Sequence, residues 1–327
     1  MVAKPRSSSN HIQSCAPQPI FIGVDVSKDW IDIADGSGRC IRVPNAPAAI
    51  AKAFRGPWSC CENLVCEATG GYERALMKVA SDLGLPLRRI HPNRVRAFAR
   101  ATGRLAKTDA LDASILARYA AFTAKETPAP LPSAKAQQLA DTVSRLTQLK
   151  DLRQAETCRA KRATDLLVKQ SLAVIMAAID GQIETVQKAL DALIAADPVL
   201  SRKADLIRSC KGVGPRSAQA ILAMLPEIGT LDRRRIAALV GVAPIDAASG
   251  SSLHRAKIGG GRKALRDILF MAALSASSHN PTFKQFYERL RSSGKPHKVA
   301  LIAVLRKLIV TLNAMIKSDQ PFKSALT

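Results

Sequence analysis

The sequence predicts an α/β domain built on a mixed sheet, followed by a long helical hairpin or coiled coil and a mostly α-helical C-terminal domain. Three observations support this prediction: short β-rich runs between residues 19 and 92, an almost strand-free stretch from 133 to 196, and helical runs separated by Gly-rich loops beyond 198. At 327 residues the chain exceeds the usual length of one domain, so more than one hydrophobic core is expected.

The α/β domain is predicted from strands that alternate with helices. Ile20–Val26, Trp30–Ala34 and Cys40–Val43 are typical of a three-stranded meander, and strands at Asn63–Glu67 and Leu87–His91 each follow a helical stretch. Such alternation implies a mixed sheet flanked by helices. The helices predicted here span 46–54, 72–83, 94–102 and 109–122, the last capped by Thr108.

Beyond the Pro-rich segment 127–132 the pattern is helical. Leu recurs at helical spacing, at Leu139, Leu146, Leu149 and Leu152. This spacing predicts two long antiparallel helices broken near Asp180-Gly181. The nearly balanced charge of this stretch suits a packing or dimerisation arm. Later helices end in an amphipathic one at 298–318. The expected boundaries are a disordered leader at 1–18, the α/β domain at 19–132, the arm at 133–198 and the C-terminal domain at 199–327.

The charge indicates a polyanionic partner. Lys and Arg number 49 against 26 Asp and Glu, and residues 201–327 alone carry 22 basic against 7 acidic residues. Neutralising phosphates releases counterions, so such a balance favours nucleic acid. Aromatic residues make up only 4% of the chain, too few for base-stacking platforms, so contacts to the phosphate backbone are expected.

Cysteine usage and hydropathy indicate the compartment. The seven Cys form no Cys-x-x-Cys pair, which predicts reduced cytosolic thiols. The first 18 residues lack the apolar core of a signal peptide. No stretch is expected to be long enough to span a membrane, so no membrane partner is predicted.

Four carboxylates form the candidate catalytic cluster. Asp25 and Glu67 each end an apolar strand, where a sheet opens into its ligand crevice. Asp109 and Asp112 lie three residues apart at a helix start, on one face. Four hard oxygen donors suit a pair of Mg²⁺ ions, with Mn²⁺ as an alternative. Taken alone, Asp25 could be a turn residue, and the aspartate pair could be a solvated helix face. Taken together, the order of an Asp on a strand, a Glu on a strand and an Asp-x-x-Asp pair on a helix matches an RNase H-like nuclease fold.

Several motifs resemble one known family. The chain is similar to the RuvC-like DEDD transposases of the IS-one-ten/IS-eleven-eleven group, which includes the Piv DNA invertase. The N-terminal matches are Gly23-Val24-Asp25-Val26-Ser27-Lys28, Cys66-Glu67-Ala68-Thr69-Gly70, His91-Pro92 and Lys107-Thr108-Asp109-Ala110-Leu111-Asp112-Ala113. The C-terminal matches are 207–215, 239–244, Ser249-Gly250-Ser251-Ser252 and 259–266. The resemblance covers about residues 19–320, with the motifs in the family's order, and the leader extends beyond the usual family start.

The resemblance implies a function. It implies a DNA transposase or recombinase of the bacterial cytoplasm, associated with the nucleoid, that recombines donor and target DNA under direction of a bridge RNA. Asp25, Glu67, Asp109 and Asp112 would hold Mg²⁺, and Ser249 would be the nucleophile that links transiently to DNA. Strand exchange needs at least two active centres, so a homo-oligomer is expected, a dimer or, by resemblance, a tetramer.

The C-terminal domain supplies candidate phosphate contacts. Gly212-Val213-Gly214 between helical runs resembles a helix-hairpin-helix loop, although an ordinary helical turn has the same composition. On composition alone the segment around Ser249 is a flexible linker. The basic residues between Arg255 and Arg266 could make nonspecific contacts to phosphates, or they could form a solvated charged face. The predicted nucleic-acid contacts are Lys107, Lys211, Gly212, Gly214, Arg255, Lys257, Arg262, Lys263 and Arg266.

Three other functions stay open. A hydrolytic nuclease of the Holliday-junction resolvase type would need the four carboxylates but not Ser249. A sugar-kinase or actin-like ATPase shares the Gly23-Val24-Asp25 turn but would need Gly-rich nucleotide motifs that are missing. A nonenzymatic nucleic-acid-binding scaffold is compatible with the charge alone.

Overall fold

The computed structural model describes residues 19–103, 109–126, 133–245 and 257–323, without the side chains of 109–111. The chain divides into two compact units, Met1–Leu131 and Pro132–Thr327. The leader, Thr108 and the segment that contains Ser249 and Arg255 lie outside the described residues, as does Lys107.

The first unit is built on a five-stranded mixed sheet in the order β3-β2-β1-β4-β5. β1 pairs antiparallel with β2 and parallel with β4, while β2–β3 is antiparallel and β4–β5 parallel. The predicted mixed sheet flanked by helices is confirmed, and it is compatible with an RNase H-like DEDD transposase. The strands are β1 Phe21–Val26, β2 Trp30–Asp35, β3 Cys40–Pro44, β4 Asn63–Glu67 and β5 Leu87–Ile90.

Four helices accompany this sheet. Pro47 and Pro92 each stand in the first turn of a helix, where no hydrogen bond needs their missing N–H. The His91 side chain caps the second of these helices by accepting from Asn93 N. The helices are α1 Pro47–Phe54, α2 Arg74–Asp82, α3 Pro92–Ala101 and α4 Asp109–Phe122.

The two faces of the sheet bury different cores. Ile22, Val24 and Leu64 pack in one apolar cluster with residues of α1 and α2. On the opposite face Val65 packs in a second cluster with residues of α3 and α4, among them Leu116. Since strand side chains alternate between faces, odd-numbered positions of β1 and β4 face α4.

Gly23 is the point of closest approach between β1 and α4. A Cβ at Gly23 would lie 2.2 Å from both Ala113 O and Ala117 N, and 2.5 Å from Leu116 Cβ. Two of these three atoms belong to backbone, so neither can rotate away. Glycine at this position therefore lets the helix lie directly on the strand.

Gly23→Ala is expected to lower the free energy of unfolding by about 3 kcal/mol, because overpacking must displace α4 from the sheet. Urea unfolding monitored by circular dichroism measures this. Gly36→Ala is the matched control, since a Cβ there meets nothing within 4 Å. Equal effects of the two substitutions would contradict the packing described for Gly23.

The second unit is almost entirely helical, as predicted. Its helices are α5 Ala134–Ala160, α6 Leu166–Ala195, α7 Pro198–Ser209, α8 Pro215–Met224, α9 Arg233–Val240, α10 Lys263–His279, α11 Pro281–Ser292 and α12 His297–Ser318. Between α9 and α10 a small hairpin pairs β6 Pro244–Ile245 with β7 Lys257–Ile258, which the sequence pattern did not predict. Its two-residue strands are too short to show alternation.

The expected helix break near Asp180-Gly181 is wrong. α6 runs through both residues, and α5 and α6 are instead separated at 161–165. The Asp165 side chain caps α6 by accepting from Val168 N at 3.1 Å, while Asp180 pairs with Arg153 of α5 at 2.8 Å. Contact with α5 offsets the cost of about 1 kcal/mol for a glycine inside a helix.

By length and composition, two helices of the second unit could cross a membrane, α6 and α12. The expectation that no stretch is long enough is therefore wrong on this criterion. Half of the apolar window of α12 is buried, and Leu308 and Leu312 lie in the core of the unit. A core helix passes the same test, so the finding is weak evidence for a membrane span. In α6 only 6% of the window is buried.

Candidate active site

Asp25 and Glu67 lie side by side at the edge of the sheet where β1 and β4 end. The parallel register pairs Val24 with Cys66, so Asp25 and Glu67 are the next residues on neighbouring strands. Both occupy odd-numbered positions and both are partly buried. Strand alternation therefore directs both carboxylates to the face that α4 covers.

The direction of α4 across the sheet points its first turn toward these strand ends. Asn63 Nδ2 donates to Ala120 O at 2.8 Å at the start of β4, while Gly23, further along the sheet, meets Ala113. α4 thus runs opposite to β1 and β4. Two strand residues cover about 6.6 Å, which is the rise of four to five helical residues. Two residues beyond Gly23 and its neighbour on β4, the strands reach Asp25 and Glu67. The same distance along the helix leads from Ala113 to the Asp109–Asp112 turn.

The full four-carboxylate cluster stays a prediction. Among the side chains that the structure describes, no three His, Cys, Asp or Glu residues are grouped so as to hold a metal ion. Asp109 is not among those side chains. The donor chemistry suits Mg²⁺, because all four predicted ligands are carboxylates and hard cations prefer oxygen.

Asp32 is a neighbouring carboxylate that the sequence pattern did not single out. It lies directly opposite Asp25 in the antiparallel β1–β2 register. Arg42 of β3 donates from Nε and Nη2 to the two Asp32 oxygens at 2.8 and 2.7 Å. The bidentate pair occupies both oxygens of the Asp32 carboxylate and neutralises its charge.

The loop after Glu67 is organised by Glu73. One Glu73 oxygen accepts from Gly71 N at 2.8 Å and from the backbone and hydroxyl of Thr69 at 3.3 and 3.1 Å. Burial tends to raise the pKa of Glu73, but these hydrogen bonds outweigh it and hold the pKa below its ordinary value. Arg89 pairs with the other oxygen at 3.3 Å. Glu73 is therefore a structural anion inside the loop.

Cys66 precedes Glu67 but does not compete as a nucleophile. Its side chain is fully buried on the opposite face of the sheet. Burial raises the pKa of the Cys66 thiol to about 12, so the thiol stays protonated at neutral pH.

In the second unit, Gly212 and Gly214 lie in the turn between α7 and α8. Gly212 has φ +102°, and a Cβ there would lie 2.5 Å from Ala276 Cα of α10. Gly214 is the N-cap of α8, with nothing within 4 Å of its Cβ position. Close packing against α10 thus explains why residue 212 is a glycine. By contrast, Gly214 and Lys211 are exposed, so the start of α8 is accessible from solvent.

The predicted basic face on α10 is engaged within its own unit. Arg262 donates to Met224 O at 2.7 Å and to both Glu227 oxygens at 2.6 Å. Burial tends to raise the pKa of Glu227, but Arg262 outweighs this and lowers it. Arg266 donates to Gly260 O at 2.7 Å, and Lys263 pairs with Asp267 at 2.6 Å.

These contacts join the chain segments on either side of β6 and β7. Gly261, with φ +61°, approaches Gly241 so closely that a Cβ on Gly261 would lie 2.3 Å from Gly241 N. Arg266 spans the same two segments. The Arg266 guanidinium therefore stabilises the base of the hairpin. The Arg262 guanidinium ties the start of α10 to the end of α8, and Lys257 on β7 is exposed.

Two family models match the chain. DEDD_Tnp_IS110, described as a transposase, matches residues 22–168. The model described as Transposase IS116/IS110/IS902 family matches residues 204–288. The first match contains the strand ends and α4, and the second contains α8 and the β6–β7 hairpin.

Named relatives agree with these models. The pilin gene-inverting proteins of Moraxella lacunata and Moraxella bovis are each 30% identical over 272 residues, covering 80% of this chain and 81% of the relative. An insertion element IS110 uncharacterized 43.6 kDa protein of Streptomyces coelicolor is 30% identical over 164 residues, covering 49% of this chain and 39% of that protein.

Proposed function

The chain belongs to the IS110 family of transposases, and from that premise we propose that it cuts and rejoins DNA with a metal-binding carboxylate cluster assisted by a serine. The metal ligands are Asp25, Glu67, Asp109 and Asp112. Ser249 is the nucleophile. The observation that carries this proposal is that Asp25 and Glu67 end neighbouring strands on the face of the sheet against which α4 packs through Ala113 and Ala117.

The helix geometry supports the ligand set. Ala113 and Leu116 of α4 face the sheet. Positions 109 and 112 lie four residues earlier on the helix, so periodicity places them on the same stripe. The positive end of the helix dipole stabilises the carboxylates there. Two Mg²⁺ ions, or Mn²⁺ in their place, would polarise the scissile phosphate and stabilise the charge on the entering and leaving oxygens.

The serine converts cleavage into a reversible transfer. Ser249 Oγ loses its proton and attacks phosphorus, and the P–O bond to one DNA strand breaks as the serine ester forms. The released DNA hydroxyl takes up a proton. A hydroxyl from the other DNA then attacks the same phosphorus and frees the serine, so the number of phosphodiester bonds is conserved.

The partners follow from charge and from the family. The chain acts on double-stranded donor and target DNA, and a bridge RNA pairs with both to select the sites. The Moraxella relatives are named for inverting a pilin gene, which requires that DNA be cut and rejoined in a new arrangement. Phosphate contacts come from some of the 22 basic residues of 201–327, among them Lys211, Arg255 and Lys257. The backbone of Gly214 and, in the first unit, Lys107 add to these contacts.

We assign the regions separate tasks. Residues 19–132 form the RuvC-like catalytic domain, 133–198 a coiled-coil arm, and 199–327 a C-terminal domain with a helix-hairpin-helix-like element and the serine. The arm mediates homo-oligomerisation to a dimer and then a tetramer. Leu166, Leu167 and Val174 of α6 support this because they are 69%, 73% and 71% exposed. Since the substrate is chromosomal DNA, the protein works in the bacterial cytoplasm at the nucleoid.

The guide is tested by removing it. Protein purified from cells is treated with ribonuclease, repurified and assayed for recombination between two plasmids, with and without the RNA that copurified with it. We expect recombination to be lost on treatment and restored by that RNA alone. Equal recombination by RNA-free protein would exclude a guide, and the transposase assignment would then stand without it.

A further inference from the structure

One side chain ties together the two loops that follow the predicted metal ligands. Asn45 lies between β3 and α1, and its Nδ2 donates to Ser27 O at 2.9 Å and to Tyr72 O at 3.0 Å. A longer contact reaches Lys28 O at 3.5 Å. Ser27 comes two residues after Asp25, and Tyr72 comes five residues after Glu67, so this amide bridges the ends of both strands.

The backbone fixes the position of the Asn45 side chain. Asn45 N donates to Asp29 O at 2.9 Å, which anchors the residue to the turn that follows β1. Asn45 Oδ1 is buried and accepts no hydrogen bond within the described part of the chain. The amide therefore acts only as a donor, and its orientation is set because carbonyl oxygens surround the nitrogen.

The second loop transmits the position of Tyr72 back to Glu67. Glu73 is only 2% exposed and holds Thr69 and Gly71 from within the loop. Ala68 N also donates to Ile90 O at 3.0 Å, which ties the start of the loop to β5. Because these hydrogen bonds hold Ala68, Thr69 and Gly71 between Glu67 and Tyr72, we expect a movement of the Tyr72 carbonyl to displace the strand end as well.

We propose that Asn45 is a positioning residue that sets the spacing between Asp25 and Glu67 and thereby the affinity of the site for divalent cations. This inference rests on the proposed function, because it assumes that the two carboxylates share metal ions. Asn45 itself contacts neither the metal nor DNA. It acts through the backbone of the loops after β1 and β4, as groups beyond the direct ligands do in other metal sites.

The test measures Mn²⁺ binding to the DNA-free full-length protein by electron paramagnetic resonance, together with thermal unfolding. Asn45→Ala is expected to raise the apparent Kd for Mn²⁺ about 10-fold. Asn63→Ala is the matched control. Asn63 is buried, whereas Asn45 is half-buried. Like Asn45, it donates through Nδ2 to a backbone carbonyl and has an unpartnered Oδ1, but it begins β4, whereas Glu67 ends it. The control should lower the Tm without changing the Kd.

A second readout separates positioning from ligation. High Mn²⁺ should restore most of the DNA cleavage rate of Asn45→Ala, because its ligands are intact, and should not restore that of Asp25→Asn. If Asn45→Ala does not fold, Asn45→Gln takes its place, because it keeps the amide on a longer side chain. This variant should raise the Kd for Mn²⁺ by less than tenfold.

The outcomes distinguish the inference from its premise. If Asp25→Asn weakens Mn²⁺ binding while Asn45→Ala and Asn45→Gln leave it unchanged, the positioning role is wrong and the metal site stands. If Asp25→Asn also binds Mn²⁺ like the wild type, both the metal site and the positioning role are overturned. Weakened binding in both Asn45 variants and Asp25→Asn, but not in Asn63→Ala, supports the inference.

Discussion

Asp25→Asn is expected to slow DNA strand cleavage by at least about 10³-fold at saturating Mg²⁺, while DNA affinity changes little. The neutral amide keeps the shape of the side chain but removes the negative charge that holds a cation at the end of β1. We expect DNA affinity to persist because the proposed phosphate contacts are made by basic residues, and 22 of the 49 basic residues lie in 201–327. Single-turnover cleavage of a labelled duplex and a parallel binding titration measure the two quantities.

Asp32→Asn is the matched control for this experiment. Asp32 faces Asp25 across the β1–β2 ladder, but both of its oxygens are engaged by Arg42. Its replacement should destabilise the sheet and leave the Mg²⁺ dependence of cleavage unchanged. Normal cleavage by Asp25→Asn would refute the metal role of Asp25.

Ser249→Ala is expected to abolish the covalent protein–DNA adduct and to slow recombination by on the order of 10⁴-fold or more, because the attacking oxygen itself is removed. The adduct is detected as labelled DNA that stays with the protein in denaturing gel electrophoresis. Mg²⁺ binding should be unchanged, since the proposed ligands all lie in residues 19–132.

Ser251→Ala and Ser252→Ala serve as controls because they belong to the same Ser-Gly-Ser-Ser run. Both should retain the adduct. Cleavage at the wild-type rate by Ser249→Ala, with no adduct from the wild-type chain, would instead identify a hydrolytic nuclease of the resolvase type. In that case the four carboxylates alone would activate water.

Local pattern predicted the sheet and its edge well. Apolar runs with β-branched residues located all five strands of the first unit, and polar residues at the ends of two of them drew attention to Asp25 and Glu67. The IS110 family membership predicted from these motifs is confirmed by the family models and by the Moraxella relatives. The assignment as a DNA transposase or recombinase is confirmed with it.

Long-range contacts explain what the pattern missed. Gly181 was expected to break a helix, but its helix is stabilised by packing on α5, which a local pattern does not contain. Arg262 and Arg266 have the spacing of a phosphate-binding face, yet their partners Glu227 and Gly241 come from distant segments. Asn45 was missed for the same reason, because nothing near it in sequence indicates that it bridges two loops.

The central claim is that Asp25, Glu67, Asp109 and Asp112 hold divalent cations beside the scissile phosphate. Anomalous diffraction from crystals of the protein–DNA complex grown with Mn²⁺ tests it most directly. Two Mn²⁺ peaks about 4 Å apart are predicted, each about 2.1 Å from carboxylate oxygens of this set. Mn²⁺ bound elsewhere, with Asp25 and Glu67 oxygens too far apart to share an ion, would contradict the account.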